Sequence, residues 1–141
     1  MNTKTIHRYL NEGATLNIKA TGVIFESLNF PKTNRQELIK DMIEGVAEED
    51  RELELVFEDD NKYDKYAIRI DYEGADVGYV PKNTDVRVIT ANERRTRIAY
   101  SKDINQILRE FDGTLEAEVD AIYGGSYGKH YGYTINIKKS Y

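Results

Sequence analysis

The stretch Asn61-Lys62-Tyr63-Asp64-Lys65-Tyr66-Ala67-Ile68, with Gly78-Tyr79-Val80-Pro81 ten residues further on, decides how this 141-residue chain is read. It sets a polar, aromatic and acidic cluster immediately ahead of an apolar run. Ala67 to Tyr72 and Asp76 to Val80 flank Glu73-Gly74 and read as a β-hairpin, so the cluster sits on the rim of a sheet. Upstream, Glu52 to Glu58 puts Leu53, Leu55 and Phe57 on one face and Glu52, Glu54 and Glu58 on the other, the two-residue period of a half-buried strand.

Further out, Thr15 to Phe25 alternates in the same way. So do Thr114 to Ile122 and Tyr131 to Lys138, joined by the turn Gly124-Gly125-Ser126-Tyr127-Gly128. Two segments have helical spacing instead. Leu38, Ile39, Met42 and Ile43 form one stripe after Pro31, with Thr33 and Gln36 at capping-box spacing and Gly45 as the stop. Ile104, Ile107, Leu108 and Phe111 form the other, with Ser101 as cap and Gly113 past the end. Residues 1–14 make an N-terminal arm in which Ile6, Tyr9 and Leu10 allow one or two helical turns. Residues 15–141 then form a single domain. Many short strands beside two or three short helices predict a mainly β fold, a small twisted antiparallel barrel whose closure removes exposed strand edges.

Taken with Thr21-Gly22-Val23-Ile24-Phe25, the corner and the Gly-Tyr-Val-Pro turn resemble the HIRAN domain over roughly residues 20–139. The resemblance implies an OB-like barrel of a family found fused to DNA-repair helicases or as stand-alone prokaryotic or phage proteins. It also implies a non-catalytic, nucleic-acid-binding module that recognises single-stranded DNA or its 3′ end. On that pattern Tyr63 stacks on the terminal base, Asp64 accepts a hydrogen bond from the free 3′-hydroxyl, and Lys82 lies near the terminal phosphate, with Asn61 alongside. The chain departs from the family in two places. The family runs from the Gly-Tyr-Val-Pro turn almost directly into a helix, whereas here residues 83–102 intervene. Its DNA-binding relative carries Arg-Tyr-Tyr before Thr-Gly-Val, where this chain has Ile18-Lys19-Ala20, leaving Lys19 as the only basic substitute.

The insertion reads as a β-hairpin, Val86 to Thr90 and Thr96 to Tyr100, carrying Arg87, Arg94, Arg95 and Arg97. Such a ribbon suits phosphates, or it is simply a solvated basic edge. The last hairpin interleaves Tyr123, Tyr127, Tyr131 and Tyr133 with Lys129 and His130, a composition that fits unstacked bases or cross-strand tyrosine pairs. Asn61 and Asp64 also suit turn residues that bond their own backbone, and Lys82 suits an exposed lysine.

A net charge of -5 argues against strong binding along a phosphate backbone in general. The charge is segregated, however: Glu44 to Asp64 holds ten acids against Arg51 and Lys62, while Asn83 to Asp103 holds five basic residues against three acids. The acidic face supports a rival reading, a protein-interaction module that contacts a basic partner or mimics DNA to occupy a helicase, nuclease or other nucleic-acid enzyme. The absence of cysteine excludes disulfides, thiolate chemistry and a cysteine zinc cage. No nucleophile elbow, metalloprotease helix, phosphate loop or calcium loop is complete, so neither enzyme activity nor cofactor nor metal is expected. With no signal peptide and no apolar run of membrane-spanning length, a cytoplasmic protein is expected.

Overall fold

The computed structural model describes residues 3–92 and 96–140. With 39% strand against 20% helix, the fold is mainly β. Strands β1 (Thr15–Lys19), β2 (Glu52–Phe57), β3 (Ile68–Tyr72), β4 (Ala75–Tyr79), β5 (Thr84–Ile89), β6 (Thr96–Ser101), β7 (Leu115–Tyr123) and β8 (Gly132–Lys139) join in the order β4-β3-β2-β7-β8-β1-β5-β6. Every pairing is antiparallel.

The sheet curls into an OB-like half-barrel. Its gap is bridged where Thr21, just past β1, exchanges two backbone hydrogen bonds of 2.9 Å with Tyr79. Gly78 permits this approach, because a Cβ there would stand 2.8 Å from the Thr21 carbonyl oxygen and 2.9 Å from Tyr133 Oη. The same edge of β1 pairs with β5 through Thr15 to Asn17. Strands β4 and β5 therefore follow one another along β1, with a kink at Val80 to Asn83.

Beyond Thr21 the expected strand gives way to a loop, tied to itself by Ser27 N to Thr33 O (2.7 Å) and Arg35 N to Phe25 O (3.0 Å). A buried ion pair fastens this loop to β4. Asp76 accepts from Arg35 Nη2 at 2.8 Å and Nε at 3.1 Å, and also from Ser27 Oγ and the amides of Leu28 and Asn29.

Helix α2 (Arg35–Ala47) is capped by Asn34 instead of Thr33: the Asn34 side chain accepts from Gln36 N. The Gln36 amide is thus released from a capping box and donates to the carbonyls of Val23 and Tyr131. The helix also continues past Gly45, the expected stop. Helix α3 (Ile104–Arg109) starts from Asp103, whose φ is +54° and whose side chain makes no cap bond; Ser101, the expected cap, is buried at the end of β6. Helix α1 (Thr3–Asn11) realises the N-terminal turns.

The core gathers Leu16, Ile18, Ile68, Ile70, Val77, Ile135 and Ile137 from the sheet, Ile6 and Leu10 from α1, Ile39 and Met42 from α2, and Ile104 and Leu108 from α3. Val86 and Val88 of the inserted hairpin are wholly buried. The insertion is therefore part of the packed body. No helix among the described residues is long and apolar enough to cross a membrane.

Candidate nucleic-acid interface

Strand β2 ends at Phe57 and the chain must turn before entering β3 at Ile68. Asn61 makes that turn: its Oδ1 accepts from the amides of Tyr63 (2.9 Å) and Asp64 (3.0 Å), an arrangement that short amide side chains favour. A second turn follows at once, with Asp64 Oδ1 accepting from Tyr66 N (3.0 Å) and Asp64 O from Ala67 N (3.0 Å). Two consecutive side-chain-closed turns fix the backbone on either side of Tyr63 while leaving the residue 89% exposed. The Lys62 ammonium lies 5.4 Å from that ring.

Glu58 braces the corner from below. It accepts from Asn61 Nδ2 (3.1 Å), Tyr79 Oη (2.8 Å) and Arg69 Nη1 (3.2 Å), while Arg69 also holds Asp71 through Nε at 2.9 Å. The hydrogen bond to Asp71 raises the Arg69 pKa against the opposing effect of burial. Burial, and then the bond to Glu58, push the Tyr79 phenol up to about 12. Both polar atoms of the Asn61 side chain, Oδ1 and Nδ2, are committed within this frame.

Lys82 reaches the same end of the sheet. Arg69 pairs with Tyr79 and Val80 N donates to Ile68 O, so the Pro81-Lys82 kink runs beside the Asp64-to-Ala67 turn. Helix α3 spans the two: Ile104 N donates to Lys82 O (3.0 Å), and Arg109 Nη2 donates to Lys65 O (2.6 Å). The Lys82 ammonium is exposed and stands 3.8 Å from Asp103.

Arg109 was not singled out in the sequence, yet it locks the corner. Its guanidinium bonds Asp59 and lies 5.4 Å from the Tyr66 ring and 5.9 Å from Phe57, and its Nε is buried without a partner among the described residues. Lys65 lies 5.1 Å from the other aromatic of the turn, Tyr66. Lys62 therefore flanks the exposed Tyr63, while Lys65 and Arg109 flank Tyr66 in the turn that follows it. No sequence signal marks Arg109, because its partners lie 44 and 50 residues away.

Of the remaining expected residues, Lys19, Arg87 and Arg97 sit on β1, β5 and β6. Lys19 projects from β1 and its ammonium is 5.4 Å from the Tyr123 ring. In the hairpin, Arg87 pairs with Ile98 and Val88 with Arg97, so the two arginines stand on opposite faces of the ribbon. Arg94 and Arg95 lie outside the described residues. In the last hairpin, Tyr133 is fully buried and Tyr127 is fully exposed. Among the described residues no three His, Asp or Glu side chains converge as a metal site would require.

Compared with known proteins, the chain matches no family model, no curated protein and no solved structure.

Proposed function

We propose that this chain is a non-catalytic module that binds single-stranded DNA and receives the 3′ end of a strand at the Tyr63 corner. The observation that carries this reading is Tyr63 itself: an almost fully exposed aromatic held on a doubly closed turn, which satisfies no packing need. A base stacked on such a ring gains about 1–3 kcal/mol. Asp64 uses one carboxylate oxygen for its turn, and its other oxygen makes no hydrogen bond among the described residues, so it can accept from a terminal 3′-hydroxyl while repelling a bridging phosphate. Lys82, Lys62 and Lys65 supply the cations for the adjoining phosphates, and Asn61 shapes the turn. In this reading one face of the inserted ribbon guides the strand beyond its terminal nucleotide, so Arg87 and Arg97, which stand on opposite faces, do not act together.

Titration of a labelled oligonucleotide with a free or a blocked 3′ end, at two salt concentrations, tests the proposal. Blocking should weaken binding, and affinity should fall with salt. Asp64→Asn, which retains the acceptor for Tyr66 N, should abolish the preference for the free end. Equal affinity for both oligonucleotides would refute end recognition.

One observation favours the rival reading as a protein-interaction module. Glu52 stands directly opposite Glu118 across β2 and β7, with Glu54 and Glu116 beside them. Like charges placed so cost stability. They border a groove of about 970 Å³ lined also by Leu53, Leu55, Arg51 and Lys138. A basic partner seated there relieves that repulsion; absence of any DNA binding at low salt would leave this reading in place.

A further inference from the structure

The two ends of the curled sheet are finished differently. The β4 end is covered: Thr21 pairs with Tyr79, Asp76 gathers the 27–29 loop and Arg35, and Asn29 Nδ2 donates to Gly74 O at 3.0 Å. The β6 end is not. Strand β6 is terminal in the sheet, and no described strand pairs with its outer side. Contrary to the expectation of full closure, one edge stays open.

Edges that remain single are commonly blunted by charges, proline or a bulge. Strand β6, Thr96-Arg97-Ile98-Ala99-Tyr100-Ser101, carries one charge and no proline, and it pairs with β5 without a register shift from Ser101↔Thr84 to Thr96↔Ile89. Ile98 and Tyr100 lie on one face of it, 64% and 53% exposed. This edge is regular, extended and apolar on one face.

We propose that β6 pairs antiparallel with β6 of a second copy of this chain, joining two half-barrels into one continuous sheet. A two-fold axis perpendicular to the sheet keeps like faces on one side, so each residue meets one from its own face. Centred on Ala99, the pairing sets Ile98 opposite Tyr100 of the second copy, twice, and Arg97 opposite Ser101. The exposed apolar side chains cover each other and no cation faces a cation. This self-complementarity in charge and apolarity selects a second copy over a foreign strand. An interface of this kind is small, so the dimer is expected to be reversible.

Sedimentation equilibrium of the whole chain, from low micromolar to near-millimolar concentration, reads the outcome. The wild type should pass from monomer to dimer across that range. Amide exchange in Thr96 to Ser101 should slow as concentration rises. Ile98→Lys, at a position outside the core, should remain monomeric at every concentration with an unchanged melting temperature; if it fails to fold, Tyr100→Lys serves in its place. A wild type that stays monomeric throughout, or a dimer that persists in a folded Ile98→Lys or Tyr100→Lys variant, would overturn the proposal.

Discussion

At the scale of single residues, the corner separates side chains that build from side chains that are left over. Asn61 spends every polar atom on the turn, whereas Tyr63 spends nothing and points outward. Tyr63→Ala should therefore leave the melting temperature unchanged while weakening single-strand binding by about 1–3 kcal/mol, which fluorescence anisotropy beside a thermal melt measures directly. Glu58 behaves oppositely. It is largely buried and anchors Asn61, Tyr79 and Arg69 at once, so Glu58→Ala strands three donors. Unfolding in urea should show a loss of about 1–3 kcal/mol. Binding should fall with it, because the turn beneath Tyr63 loses its brace.

At the scale of elements, glycine 45 shows how packing reverses a local preference. Inside an exposed helix, glycine to alanine gains about 1 kcal/mol. Here a Cβ would stand 1.8 Å from Tyr72 Oη, whose hydroxyl donates to Asp50 O (3.0 Å) and lies 3.1 Å from Asp50 Oδ2. Gly45→Ala should consequently destabilise the protein by about 1–3 kcal/mol as an overpacked contact, and a gain on denaturation would contradict that account. The same residue explains why the helix end was misplaced from sequence: Gly45 reads as a stop when its reason is an approaching tyrosine 27 residues away. Strands with two-residue periods and the apolar stripes of α2 and α3 were legible because those signals are local. The Asn61–Asp64 turn was legible for the same cause. Arg109, the Asp76–Arg35 clamp and the open edge of β6 were not, since each depends on which segments the topology brings side by side.

At the scale of the whole molecule, pH should reveal how the clamp and the sheet share stability. Burial pushes the Asp76 pKa up, yet hydrogen bonds from Ser27, Leu28 N, Asn29 N and Arg35 outweigh it and hold the carboxyl well below its usual range. A carboxylate so held contributes stability that is complete above its unfolded value of about 3.9 and is lost as pH falls below it. Tyr72 and Tyr79 act at the other limit. Burial, then bonds to Asp50 and Glu58 respectively, raise both phenols to about 12. Their neutral forms contribute stability that is complete below the unfolded value of about 10 and is lost as pH climbs from there through about 12. Denaturant unfolding across this range should accordingly show a plateau bounded by an acid and an alkaline limb. Asp76→Asn leaves the Arg35 guanidinium buried without its countercharge, so it should lower the plateau by about 3–5 kcal/mol. The deficit should narrow below about pH 4, where the wild type protonates the same carboxyl. Tyr79→Phe should instead shallow the alkaline limb and leave the acid one untouched. An Asp76→Asn deficit that stays constant down to the lowest pH at which the protein folds would show that the clamp acts through shape alone and not through its charge.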